Sequence, residues 1–99
     1  MKLDHIAIQV EDINLSIEWY QEKFNNIEIQ YSDATWAMIL IGTTKLALTV
    51  ADLHPPHIAF EIQNLSEFPT GEIKHHRDGS AYIYIKDPSG NIIEYIYYP

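Results

Sequence analysis

The chain has no cysteine among its 99 residues, so disulfides and thiolate chemistry are excluded. Basic residues are scarce, with 6 Lys and Arg against 14 Asp and Glu and a formal charge of −8. A phosphate-backbone partner needs clustered Lys and Arg, so no nucleic-acid partner is expected. The acidic balance favours solubility and is compatible with a cationic ligand or a metal. No apolar run approaches the ~18 residues of a membrane span. Met1-Lys2 leads directly into strand-like sequence with no secretory leader pattern. The expected setting is cytoplasmic, with no membrane partner.

What is present is a repetition. "DHIAIQV" (4–10) is echoed by "PHIAFEI" (56–62), which puts His5 and His57 52 residues apart, about half the chain. Residues 3–10 alternate, with His5, Ala7 and Gln9 on one strand face and Ile6, Ile8 and Val10 on the other. Asp12 reads as an N-cap for a helix whose apolar stripe is Ile13, Ile17, Tyr20 and Phe24, ended by Asn25-Asn26. Strands are expected over 27–32, 35–42 and 44–50, separated by "SDAT" and "GTT". This β-α-β-β-β order is followed by a link, "ADLHPP" (51–56), whose proline pair argues against regular structure.

The second half begins with "HIAFEI", where His57, Ala59 and Glu61 share one face and Ile58, Phe60 and Ile62 the other. Three further strands are expected over 72–77, 80–86 and 91–98, with "RDGS" and "DPSG" as turns. The halves match strand for strand, but the connection over 63–71 has nine residues, too few for a helical crossover. The expected architecture is α+β. Two half-modules (1–50 and 57–99, joined by 51–56) form a single domain, and the second helix is reduced to a turn around Ser66–Phe68. Lacking a helix, the Ile58/Phe60/Ile62 face should be covered by Leu65, Phe68 or a partner subunit. The missing second helix also argues against a ferredoxin-like βαββαβ fold.

Three polar residues fall on inward strand positions: His5, His57 and Glu94, the last between Ile92 and Ile96 on its own face. A lone ionised Glu buried there costs several kcal/mol, so it requires a compensating group. None of the six basic residues lies at an obviously inward site. Two imidazoles and a carboxylate form a facial set for a divalent ion with positions left for water and substrate. The alternative is that the histidines are polar residues satisfied at strand starts. The repeat weakens that alternative, since two of the three sit at equivalent positions.

"LDHIAIQVEDINLSIEWYQEKF", "HIAFEI" and "IKDPSGNIIEYI" resemble the vicinal oxygen chelate superfamily, which includes glyoxalase I, fosfomycin resistance enzymes, extradiol dioxygenases and bleomycin resistance proteins. The resemblance spans nearly the whole chain. It implies paired βαβββ modules with a site in the cleft between them, and it carries the metal-ligand role onto His5, His57 and Glu94. A fourth ligand of glyoxalase-type members would fall at about Ala47, which cannot ligate. The chain is therefore more similar to the three-ligand members. Ala7 stands where fosfomycin enzymes carry a Thr, and basic residues for a phosphonate are few. Extradiol enzymes resemble the stretch from His75 through Tyr84, Asp87-Pro88 and Gly90 to Glu94, which implies catalytic positions for His75 and Tyr84.

The reading that follows is a small metal-dependent enzyme of the lyase, isomerase, epimerase or extradiol-dioxygenase-like kind. It would use one divalent ion (Fe, Mn, Ni or Zn) to chelate vicinal oxygens of a small substrate. Gln9, Trp36 and Glu61 are the candidate substrate-binding residues, and a homodimer is expected. The competing reading is a non-catalytic binding protein of the bleomycin resistance kind. Acidic charge and aromatic walls suit its bulky cationic ligands.

Overall fold

The computed structural model describes residues 1–51 and 53–99. Among the described residues are eight strands, a single α-helix and one 3-10 turn. The elements in chain order are β1 (Lys2–Gln9), α1 (Ile13–Lys23), β2 (Ile27–Ser32), β3 (Trp36–Ile41) and β4 (Thr44–Thr49), then β5 (His57–Glu61), the 3-10 turn (Leu65–Glu67), β6 (Lys74–His75), β7 (Ala81–Lys86) and β8 (Ile92–Tyr97). These are two βαβββ modules, the second with its helix reduced to the turn. The link expected over 51–56 includes residue 52, which lies outside the described residues. By compactness the chain divides into His5–Pro56 and a second unit of Met1–Asp4 with His57–Pro99.

In the first unit the strands run in the order β2-β3-β4-β1. β1 pairs in parallel with β4, and β3 pairs antiparallel with both β2 and β4. Asp12 caps α1, its Oδ1 accepting from the Leu15 amide at 2.9 Å. The helix then lays Ile13 and Ile17 against Ala37, Ile39 and Leu48 to form a core that Ile8, Val10, Tyr20 and Leu46 extend. Phe24, expected in that stripe, instead caps the helix C-terminus in extended backbone and is exposed. Asn26 then takes φ +59, a left-handed turn conformation that Asn tolerates better than most residues. With the helix covering the even-numbered residues of β1, the odd set His5, Ala7 and Gln9 takes the opposite face. Register places Lys45, Ala47 and Thr49 beside them, with Trp36 opposite Thr49.

In the second unit the order is β5-β8-β7-β6. β8 pairs in parallel with β5 and antiparallel with β7, so it has a neighbour on each side. Two Asp-led turns set the hairpins. Asp87 accepts from the Ser89 and Asn91 amides at 2.9 and 2.8 Å, and Asp78 accepts from the Ser80 amide at 2.9 Å. In the 3-10 turn the Glu67 carboxylate accepts from the Gln63 and Asn64 amides at 2.8 and 2.9 Å. The face carrying Ile58, Phe60 and Ile62 is unevenly covered. Ile62 is buried and Phe60 half-buried, whereas Ile58 is 38% exposed. Leu65 does not serve as the cover expected of it, since it is itself 55% exposed. Three residues of 3-10 turn are too short to lay a side chain back along the strand. β6 is also shorter than the strand expected over 72–77, with only two paired residues.

Candidate metal centre

Glu94 is the organising residue of the second unit. It sits in mid-β8, flanked by Ile92 and Ile96 on its own face, and its side chain is 0% exposed. Register puts Ala59 of β5 on one side of it and Tyr84 of β7 on the other. Ala59 leaves room for His57, two residues earlier on the same face. The buried His57 ring brings Nε2 to 3.3 Å from Glu94 Oε1.

The other carboxylate oxygen meets a residue that was not among the expected site residues. His76 Nε2 lies 2.6 Å from Glu94 Oε2. The neighbouring His75, the expected catalytic residue, is exposed and pairs with Ala81. Ala81 and Ile83 form the face of β7 opposite to Tyr82 and Tyr84, so His75 points away from Glu94. A one-residue step along a strand reverses the face. Of the two adjacent histidines, His76 is the one that faces Glu94. It was findable by counting back through "RDGS": the His76 amide donates to the Ser80 carbonyl at 2.9 Å, which sets residue 76 opposite residue 80. Residues 80, 82 and 84 share the Glu94 side.

Electrostatics follow from this crowding. Burial pushes the Glu94 carboxyl up, but the His57 and His76 rings against its two oxygens outweigh burial and hold the group at about 2. Glu94 is thus a carboxylate at any ordinary pH. Tyr84 responds in the opposite sense. Burial first, then the Glu94 charge and Tyr82, push its phenol far above the usual range. Its ring lies 5.2 Å from the His57 ring. A phenol so placed donates a hydrogen bond and does not act as a base at neutral pH.

The remaining expected residues are distributed as follows. His5 is buried on β1. Gln9 ends the same strand and is exposed. Trp36 begins β3, half-buried and stacked on Tyr31 with centroids 4.7 Å apart. Glu61 ends β5, half-buried and paired with Lys2 Nζ at 3.5 Å. Ala47 is buried and its side chain offers no ligand atom.

The donor set fits a divalent ion. Two ligand atoms at ~2.1 Å from a common ion stand ~3.0 to ~3.4 Å apart for octahedral to tetrahedral angles. The His57 Nε2 to Glu94 Oε1 distance of 3.3 Å falls in that range.

Two βαβββ modules, the second carrying a His57/His76/Glu94 cluster, define a class of protein, and the family comparison agrees with it. The profile of the Glyoxalase/Bleomycin resistance protein/Dioxygenase superfamily matches residues 2–71, and the chain belongs to that superfamily. No curated protein matches. Among solved structures, a glyoxalase/bleomycin resistance protein/dioxygenase superfamily member from Vibrio splendidus 12B01 superposes with a TM-score of 0.73 at 10% identity, over 98% of this chain and 100% of that one. The fosfomycin resistance protein FosX from Listeria monocytogenes, complexed with Mn(II) and sulfate, is 25% identical over 92% of this chain and 85% of that one, with a TM-score of 0.44. Lactoylglutathione lyase from Agrobacterium tumefaciens is 18% identical over 92% and 89%, with a TM-score of 0.39. No described helix is long and apolar enough to cross a membrane.

Proposed function

We propose that the chain is a small metal-dependent enzyme of the vicinal-oxygen-chelate type, with His5, His57 and Glu94 holding one divalent ion. The observation that carries this reading is the buried pair His57 and Glu94, whose Nε2 and Oε1 stand 3.3 Å apart; the buried His5, at the equivalent position of the repeat, is proposed as the third ligand. When bound, Fe, Mn, Ni or Zn would supply Lewis acidity to two adjacent oxygens of a small substrate. The chain's own residues supply the rest. Tyr84, kept protonated, donates a hydrogen bond to the oxyanion or enolate that develops. Gln9 and Trp36 extend the His5 face, and Glu61 extends the His57 face, as substrate contacts. His75 has no role here, because it faces away from Glu94. The reaction is of the lyase, isomerase, epimerase or ring-cleaving class.

The test is a turnover screen of the full chain loaded in turn with Fe(II), Mn(II), Ni(II) and Zn(II). The panel contains catechols, 2-hydroxy and 2-oxo acids, and 1,2-dicarbonyl adducts of thiols. Turnover by at least one metal form, abolished in Glu94→Gln, is expected. Metal-bound protein with no turnover across the panel would contradict it.

A second reading is favoured by one feature, the Trp36–Tyr31 stack in a chain of charge −8. In this reading the protein sequesters a bulky cationic aromatic ligand without altering it. Tight binding by metal-free protein, with the ligand recovered unchanged, would select it. Under either reading a homodimer is proposed, supported by the exposed apolar side chains Ile58, Leu65 and Ile73.

A further inference from the structure

We propose that His76 is a positioning residue that commits Glu94 to ligate through Oε1 alone. The inference rests on the metal-binding reading above and concerns how the carboxylate is presented.

The two oxygens of Glu94 have different neighbours. Oε1 faces His57 Nε2 at 3.3 Å, a separation suited to two ligands of one ion. Oε2 faces His76 Nε2 at 2.6 Å. That is shorter than the ~3.0 Å of neighbouring ligands on a common ion. It is the length of a charge-assisted hydrogen bond. In the arrangement proposed, His76 Nε2–H donates to that oxygen. An oxygen held in this way cannot swing to chelate the ion together with Oε1.

The chain holds His76 in place through three contacts. Its ring stacks on Tyr82, with centroids 3.8 Å apart and planes 7° from parallel. Its amide donates to the Ser80 carbonyl at 2.9 Å, and its own carbonyl accepts from the Gly79 amide at 3.0 Å. Asp78 closes the turn by accepting from the Ser80 hydroxyl at 2.6 Å and its amide at 2.9 Å. The "HRDGS" hairpin thus presents one imidazole to one carboxylate oxygen. The consequence is chemical: a single-oxygen carboxylate occupies one coordination position where a chelating one takes two. The position saved is available to a substrate that binds through two oxygens.

The experiment is calorimetric titration of the metal-free full chain with MnCl2, paired with infrared difference spectra of the carboxylate stretches on metal addition. The proteins are wild type, His76→Phe, His76→Gln, Tyr82→Leu and Glu94→Gln. Loss of an outer hydrogen bond of this kind weakens metal binding by ~10- to 100-fold, which is expected for His76→Phe. His76→Gln keeps an N–H donor and is expected to recover most of the affinity. Tyr82→Leu is expected to fall between wild type and His76→Phe. The wild-type spectrum should show the wide splitting of a single-oxygen carboxylate, narrowing in His76→Phe. If His76→Phe and Tyr82→Leu bind Mn(II) as wild type does, with unchanged splitting, the positioning role is overturned and metal binding stands. If wild type binds no more Mn(II) than Glu94→Gln, the metal reading falls and this proposal with it. Should His76→Phe fail to fold, Tyr82→Leu and His76→Gln decide the matter by the same two readouts.

Discussion

Glu94 concentrates the energetics of the second unit in one side chain. A folded carboxyl held at about 2 against 4.5 when free contributes stability that is present above about pH 5 and lost as pH falls through 2. The difference is worth on the order of 3 kcal/mol. Glu94→Gln in the metal-free protein is therefore predicted to be less stable than wild type at pH 7, with the two converging near pH 2. Urea unfolding across that range measures it, and a pH-independent gap would contradict it. At this scale much of the candidate site was legible. His5, His57 and Glu94, the proposed ligands, stand out in the sequence because strand parity and the repeat both pick them out. His76 was missed because β6 has only two paired residues, so neither alternation nor length marks which of two adjacent histidines faces inward. Nor did the sequence reveal that Glu61 is paired with Lys2.

At the scale of elements, the two modules differ in what covers their strands. The helix following β1 was legible from a capped, periodic stretch, and its loss after β5 from a connection of nine residues. What covers the bare face was not legible, because tertiary contacts of a short irregular segment carry no periodic signal. The contrast is measurable. Ile17 is buried under the helix, so Ile17→Ala is predicted to cost ~2 to ~5 kcal/mol in urea unfolding. Ile58 is 38% exposed, so Ile58→Lys is predicted to cost well under half of that while shifting sedimentation from dimer to monomer. Unchanged sedimentation would contradict the homodimer. The "DPSG" turn works at the same scale. It fixes the β7–β8 register that sets Tyr84 opposite Glu94. Gly90 adopts φ +88 there, a conformation that disfavours side chains.

For the whole molecule, the acidic balance and the absence of cysteine narrowed the chemistry before any fold was considered. What composition could not convey is the substrate, since neither charge nor aromatic content distinguishes one pair of vicinal oxygens from another. Membership of the superfamily sets the fold and leaves the chemistry to the residues of the site. In the function proposed above, these residues hold a metal. The direct measurement is elemental analysis of untagged full-length protein, as purified and after dialysis against each of Fe(II), Mn(II), Ni(II) and Zn(II) with removal of excess. One divalent ion per site, absent from His5→Ala, His57→Ala and Glu94→Gln variants that remain folded, is the predicted result. Wild-type protein that stays metal-free under all four ions at neutral pH would contradict it.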